Sequence, residues 1–543
     1  MQAAPHPPRR QGEPRMQVPM YRGIWSPILL IFVLLSGACA KVGPDYVRPD
    51  TKVSQDWLEA GHPQLSNEPA EYRSWWQAFK DPVLDRFIET AYRENLNLRI
   101  AGVRVLEARA QLGVAAGNLY PQTQQATAAA EKERYSSTSI YGLGNAPTKY
   151  WQSQMGLTAN WEIDFWGKFR RAIESAQSGL LASVANYDNA LVSLTADVAS
   201  NYIAIRTLEK RLDIARENVE TQKESLKIAE ARFENGATSQ RDVEQAKTVL
   251  ASTQATIPVL QTQLRQAQDA LSLLLGMPPE RLTALSQKQA VIPAPPPQVA
   301  MGIPLDLLRR RPDVRAAEYQ AAAQCAQIGV AKAELYPAFS LTGNFGFLST
   351  DINKFTLGEM FQWQSRAASA GPTLQWNIFN YGQITNNVRF QDARFQELLI
   401  TYQNTVLNAQ KEVEDNLIAF LRTQEQARFL EQGATAAANS LNLAVVQYRE
   451  GITDFTTVLT AQQNLLSAQD NLATARGDIS GDLVGVYRAL GGGWEIREGR
   501  DFVPPETAEA MEKRTNWGKL LTPAGQTPPT PEQQKRLIRA PDW

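Results

Sequence analysis

The chain has 543 residues, with 55 Lys+Arg against 56 Asp+Glu, two His and two Cys. A formal charge of −1 argues against nucleic-acid binding, which needs a basic excess. His6 and His62 sit near the N-terminus amid proline and polar residues, and Cys39 and Cys325 are far apart. A His-ligated metal site, a His-based triad, a CxxC centre and a disulfide framework are therefore not expected. With no convergent nucleophile, base or metal set and no cofactor motif, the composition does not point to an enzyme.

In chain order, residues 1–38 read as an N-terminal extension and signal peptide. The mostly apolar stretch Ile24 to Ala38 is only about 15 residues, short of the roughly 20 that span a bilayer. It follows Arg22 and ends in Leu35-Ser36-Gly37-Ala38-Cys39, the layout of a secretory signal with a processing site. This junction resembles a bacterial lipobox, which implies cleavage before Cys39 and a covalent lipid on it, although Ser36 stands where such signals usually carry Leu. Residues 1–19 are polar and Pro-rich, unlike the opening of a signal, so Met16 and Met20 are candidate starts as well as Met1. Residues 39–94 form the N-terminal segment that would carry the lipid, which the family resemblance given below also implies is part of a collar.

The rest is two copies of one unit, 95–276 and 311–491, joined by a Pro-rich linker, 277–310. Gln111-Leu112-Gly113-Val114 returns as Gln327-Ile328-Gly329-Val330, and Leu119-Tyr120-Pro121 as Leu335-Tyr336-Pro337, at an offset of 216. Trp161 and Trp376, Gly167 and Gly382, Val243 and Val458 match at 215. Each copy is expected to run helix, strand pair, very long helix, shorter helix. Steps of seven from Val184 to Phe233, and from Leu399 to Tyr448, meet only apolar residues, the signature of coiled-coil packing. Asn201 and Asn416, at matched positions of the companion stripe, are expected to fix register. Gly236 and Gly451 are expected to end the long helices and turn the chain into the next.

Ahead of each long helix lies an alternating stretch. From Trp151 to Ile163 the odd positions are apolar apart from Ser153, and the even ones are polar or Gly. Phe339 to Phe347 alternates in the same way, as does Ala368 to Ile378, whereas Gln122 to Glu133 carries a weak signal. The lengths and flanking tryptophans fit transmembrane strands. Four strands per chain cannot close a channel, and an open edge is not tolerated in lipid, so several chains must share one barrel; three would give twelve strands. Residues 492–543 complete the chain as a polar, Pro-rich C-terminal segment and tail, the first part of which the family resemblance given below implies is collar.

At this point the chain resembles a known family, the TolC-like outer membrane factors, in the lipoprotein (NodT-like) branch that serves RND-type tripartite efflux pumps. The resemblance rests on Cys39 with Val42-Gly43-Pro44-Asp45-Tyr46, on Trp75-Trp76 with Phe79 and Asp81-Pro82, and on Arg310-Arg311-Pro312-Asp313-Val314-Arg315-Ala316-Ala317-Glu318. It implies an α+β membrane protein, internally duplicated, with a long coiled-coil α-helical barrel, a transmembrane β-barrel and a mixed equatorial collar. It further implies a homotrimer in contact with outer membrane lipid, a periplasmic adaptor, an inner-membrane transporter, and passive export gated at the periplasmic helix tips. By the same resemblance Tyr448 and Arg449 occupy constricting positions, the turns at Gly236 and Gly451 contact the adaptor, and Thr460 replaces an Asp that forms an acidic ring in many relatives. Closure is then expected to lean on hydrogen bonds, Asp454 or Asp242. From the residues alone, Tyr448 equally continues the apolar stripe as core and Asp242 equally caps its helix. Alternatives are a duct for metal ions or secreted proteins, and more remotely a non-conducting envelope coiled coil. The cargo is not legible in the sequence.

Overall fold

A computed structural model describes residues 41–54, 56–66, 72–136, 149–280, 291–296, 299–300, 309–352 and 357–522. Cys39 lies outside them, and so does the expected lipid site. The described elements are β1 (Leu65–Ser66), α1 (Pro82–Glu94), α2 (Leu96–Gly117), β2 (Thr123–Arg134), β3 (Lys149–Ile163), α3 (Lys168–Glu234) and α4 (Gln240–Leu274). They continue with β4 (Val299–Ala300), α5 (Pro312–Ala333), β5 (Ala338–Thr350), β6 (Arg366–Gln375), α6 (Gln383–Arg449), α7 (Phe455–Ala489) and α8 (Pro505–Glu512).

The two long helices have 67 residues each, roughly 100 Å at 1.5 Å per residue. No helix of that length is held by propensity alone; the apolar stripe supplies the stability. Thirteen of the sixteen heptad positions are buried, so the stripe faces the helix seams along almost its full length. Leu226 and Leu399 are half-buried, and Phe233, at the tip, is exposed. The amides of Asn201 and Asn416 do not pair across the seam, although Asn416 Oδ1 lies against Gly485 of α7. Each amide donates to the carbonyl four residues back in its own helix, Asp197 at 2.8 Å and Glu412 at 2.6 Å. Polar pairs between α3 and α7 do that work instead: Arg211 with Asp470 at 2.7 Å, Asn218 with Gln469 at 2.8 Å, and Gln462 with Ser225 at 2.7 Å.

The strands form one antiparallel sheet in the order β2-β3-β5-β6, with 12, 15, 13 and 10 residues. Pairing keeps the faces apart. Leu157 lies opposite Phe345, Trp161 opposite Leu341 and Ile163 opposite Phe339, all on the apolar side. Trp151, Met155, Leu157, Leu341, Phe345 and Leu374 are exposed on that face in the single chain. At the helix end of the sheet, Trp161 and Trp376 each donate an indole N–H at 3.1 Å, to Leu119 and Leu335 carbonyls. β6 ends at Gln375, short of the expected Trp376 and Ile378. It has a partner on one side only, so its last residues find no ladder.

The helices follow the sheet. Near it, α2 packs on α3, α3 on α5 and α5 on α6; farther away the neighbours run α4, α3, α7, α6. Between these levels sits a collar. Trp75 stacks on Tyr487 with centroids 5.2 Å apart, and β1 pairs in parallel with β4. The C-terminal segment is clamped there by Asp188, which is fully buried in α3. Its carboxylate accepts from Arg497 (Nη2 at 3.1 Å) and lies 3.5 Å from Arg315. No helix among the described residues carries an apolar run long enough to cross a membrane.

Candidate functional site

The far ends of the long helices form two turns built alike. In the first, Gly236 (φ 71°) follows the C-cap Asn235, Gly236 N–H donates to Phe233 O at 2.9 Å and Ala237 N–H to Arg232 O at 2.8 Å. In the second, Gly451 (φ 76°) follows Glu450, with the matching bonds Gly451 to Tyr448 at 3.1 Å and Ile452 to Gln447 at 2.8 Å. Both are Schellman closures, and the left-handed position at each strongly favours glycine.

Each helix that leaves a turn carries a carboxylate near its start, but only in α7 does it cap the helix. Asp454 is the N-cap of α7, accepting from Thr457 N–H at 3.0 Å and Thr457 Oγ1 at 2.8 Å. Those hydrogen bonds hold its carboxyl below the usual range. In α4 the N-cap is Ser239, and Asp242, in the first turn, accepts from Thr238 Oγ1 and Ser239 Oγ.

Tyr448 is buried in the tip core with Leu441, Ala444, Phe455, Val458 and Leu459. Its ring lies 5.0 Å from that of Phe455, and its hydroxyl has no hydrogen-bond partner among the described residues. Arg232 sits over the ring, 4.8 Å from its centroid. The same guanidinium donates to the carbonyls of Tyr448 at 2.8 Å and Arg449 at 3.1 Å. A cation thus caps the negative end of α6 while lying on the face of a π-system. Arg449 and Thr460 are exposed, as are Leu443, Val446 and Ile452 around them. The tip therefore buries Tyr448, half-buries Asp242, and leaves Asp454, both glycines, Arg449 and Thr460 on its surface. Sequence reasoning missed Arg232. Its signal was an asymmetry between the repeats, since the matched position holds Gln447.

At the opposite end, the N-terminal strap begins against the base of the sheet. Val42 N–H donates to Trp166 O at 3.0 Å, and the buried Arg171 donates to Val42 O at 3.1 Å and Gly43 O at 3.2 Å and pairs with Asp45 at 2.8 Å. Gly43 and Gly329 touch backbone to backbone, where a Cβ on Gly43 would lie 2.5 Å from Gly329 Cα. The strap continues down α5 and α6 through Arg48 to Glu318 at 2.7 Å and Leu58 N–H to Glu414 at 3.0 Å. Beneath the sheet is a cavity of about 820 Å³ lined by Glu162, Asp164, Lys168, Glu334 and Asn387 among others. Asp164 is fully engaged, accepting from the N–H groups of Phe169 and Arg170 at 3.0 Å and from Arg170 Nε at 2.9 Å.

Two stretches of the chain, 87–277 and 303–492, match the family model described as outer membrane efflux protein. The chain belongs to that family. This efflux protein is 31% identical to nodulation protein T of Rhizobium leguminosarum bv. viciae, over 89% of this chain and 95% of that protein. It is 29% identical to the toluene efflux pump outer membrane protein TtgC of Pseudomonas putida, over 87% of this chain and 96% of that one. Among solved structures it resembles the outer-membrane channel OprN, with a TM-score of 0.78 and 32% identity, covering 84% of this chain and all of that one. The efflux protein is thus an outer membrane channel with periplasmic helices, of the kind used by tripartite pumps, and not an enzyme.

Proposed function

We propose that three copies of this efflux protein form the exit duct of a tripartite pump, through which small molecules pass from periplasm to exterior without chemistry. The observation that carries the reading is the open sheet. Its apolar face is exposed and its edges, β2 and β6, are unpaired in the single chain. In a bilayer every unsatisfied backbone group costs several kcal/mol, so the edges must meet those of other copies. Twelve strands make a barrel wide enough to conduct.

The gate of this duct is the tip unit, held shut by Tyr448, Arg449, Asp242, Asp454 and Thr460, with Arg232 as the clamp between the first repeat and the second. A periplasmic adaptor docks at the turns of Gly236 and Gly451 and, with an inner-membrane RND-type transporter, supplies the drive. The exposed Ile452, Val446 and Leu443 support such a docking surface. Arg232→Ala removes the clamp while Tyr448 stays packed on Phe455. In cells lacking their own channel, expression of the Arg232→Ala variant should sensitise to a large hydrophilic antibiotic, and wild type should not. Equal resistance of both strains, at equal outer membrane levels, would reject the clamp.

The strap supports a lipid on Cys39, because Lys41 already packs against the Gly167 turn at the base of the sheet. Two residues of chain reach no more than about 7 Å, which keeps the acyl chains beside the membrane. Cys39→Ser should abolish metabolic acyl labelling; unchanged labelling would sink the lipid assignment.

A further inference from the structure

At the end of the sheet away from the helices, the charges of the first hairpin are sorted by face. In the β2–β3 ladder Lys132 lies opposite Trp151, and Arg134 lies opposite Lys149. Trp151 belongs to the apolar side with Met155 and Leu157, so Lys132, Arg134 and Lys149 all stand on the side that meets lipid. Glu131 and Glu133 lie opposite Gln152 and Tyr150, on the other side. The three cations are exposed, and none of them forms an ion pair among the described residues. Lys132 holds its ammonium 5.6 Å from the centre of the Trp151 ring. Asp351 is engaged elsewhere, its carboxylate accepting the Trp151 N–H at 2.7 Å. Residues 137–148 and 353–356, which follow β2 and β5 in the sequence, contain no Asp or Glu.

Depth puts this trio at the level of lipid headgroups. Trp161, at the helix end of the sheet, and Trp151 are ten residues apart on one face of β3. At about 3.4 Å per residue and a strand tilt of about 40°, that spacing covers about 26 Å of membrane, close to the apolar height of an outer membrane barrel. Lys132 is therefore level with the outer aromatic edge, and Arg134 and Lys149 lie two residues beyond it. Like charges directly opposite each other destabilise a sheet, so the Arg134–Lys149 pair calls for an anion between them. Duplication does not account for the trio. The second hairpin runs in step with the first at an offset of 215, Thr123 opposite Asn160 becoming Ala338 opposite Gln375, and it carries Phe347, Ser349 and Gln364 at the matched positions.

We propose that Lys132, Arg134 and Lys149 hold the phosphate of an outer-leaflet lipid whose acyl chains run down the apolar face past Met155 and Leu157. Arg134 supplies a planar fork that matches phosphate oxygens, and the two lysines supply point charges on flexible stems. Trp151 sits at the boundary between headgroup and chains. A lipid fits better than free phosphate because the trio continues the apolar face outward instead of turning to the lumen. The site lies within one hairpin, so it does not depend on how many copies assemble.

Native mass spectrometry of the purified full-length protein tests this, with diphosphorylated lipid A and its dephosphorylated form as probes. Wild type should bind the diphosphorylated form about tenfold or more tightly than the other. The Lys132→Gln/Arg134→Gln/Lys149→Gln variant should lose that preference, and Arg134→Gln alone, a milder change, should reduce it. The charge-preserving Lys132→Arg/Arg134→Lys/Lys149→Arg variant should keep it. Inorganic phosphate at the lipid concentration should displace nothing. Equal binding of the two lipids by wild type, or an unchanged preference in either Gln variant, would overturn the site. Displacement by inorganic phosphate would overturn the lipid as its occupant. The same spectra count the copies in each particle, so a monomer that keeps the preference would contradict the duct and support the site.

Discussion

Tyr448 ends the apolar stripe of α6 and also begins the tip, which is why the sequence left it between core and gate. The structure gives it both kinds of neighbour, the Phe455 ring at 5.0 Å and the Arg232 guanidinium at 4.8 Å. Arg232 itself could not be read from spacing, because its partners are main-chain carbonyls 216 and 217 residues away, which leave no side-chain pattern. Cys325 is the simpler case. Its place on the apolar side of its helix predicts a buried thiol, and it is 1% exposed with Pro44 O at 3.7 Å. Burial pushes that thiol up to about 11, so little of it is thiolate near neutral pH. At pH 8 a maleimide should therefore label the folded protein slower than the unfolded chain by about tenfold or more. Labelling at the unfolded rate would show that the strap does not cover this site.

At the scale of elements, legibility followed the strength of periodicity. The sevenfold stripe marked the bodies of α3 and α6 from Val184 and Leu399 onward, inside their starts at Lys168 and Gln383, and Gly236 and Gly451 marked their ends. Alternation marked β3 and β5. It failed for β2, whose centre is Ala126, Thr127, Ala128, Ala129 and Ala130, too uniform in size and polarity to reveal a face. That strand is recognisable only through its pairing with β3. The two-residue strands β1 and β4 left no signal, since each pairs only with the other, far apart in sequence, and neither is long enough to alternate. Asn201 and Asn416 looked like register devices because polar residues at such positions often pair across a seam. Here a carbonyl in the same helix satisfied each amide first, and the crossing bonds fell to Asn218, Ser225 and Gln462.

At the scale of the molecule, the fold class was legible because duplication, heptads and alternation converge on one architecture. What lay beyond sequence was the order of neighbours, in which β2, α2 and α4 make one free side and β6 and α6 the other. In the assembly we propose, that order makes closure with further copies a head-to-tail matter, and closure makes a lumen. In the duct we propose, the clamp of Arg232 on α6 sets whether the lumen is open at its periplasmic end. Single-channel recording of the purified protein in planar bilayers tests this account most directly. The account predicts small, brief openings for wild type and larger, long-lived ones for Arg232→Ala. Bilayers that stay silent with both proteins, when each is shown to be inserted and assembled, would contradict a gated duct.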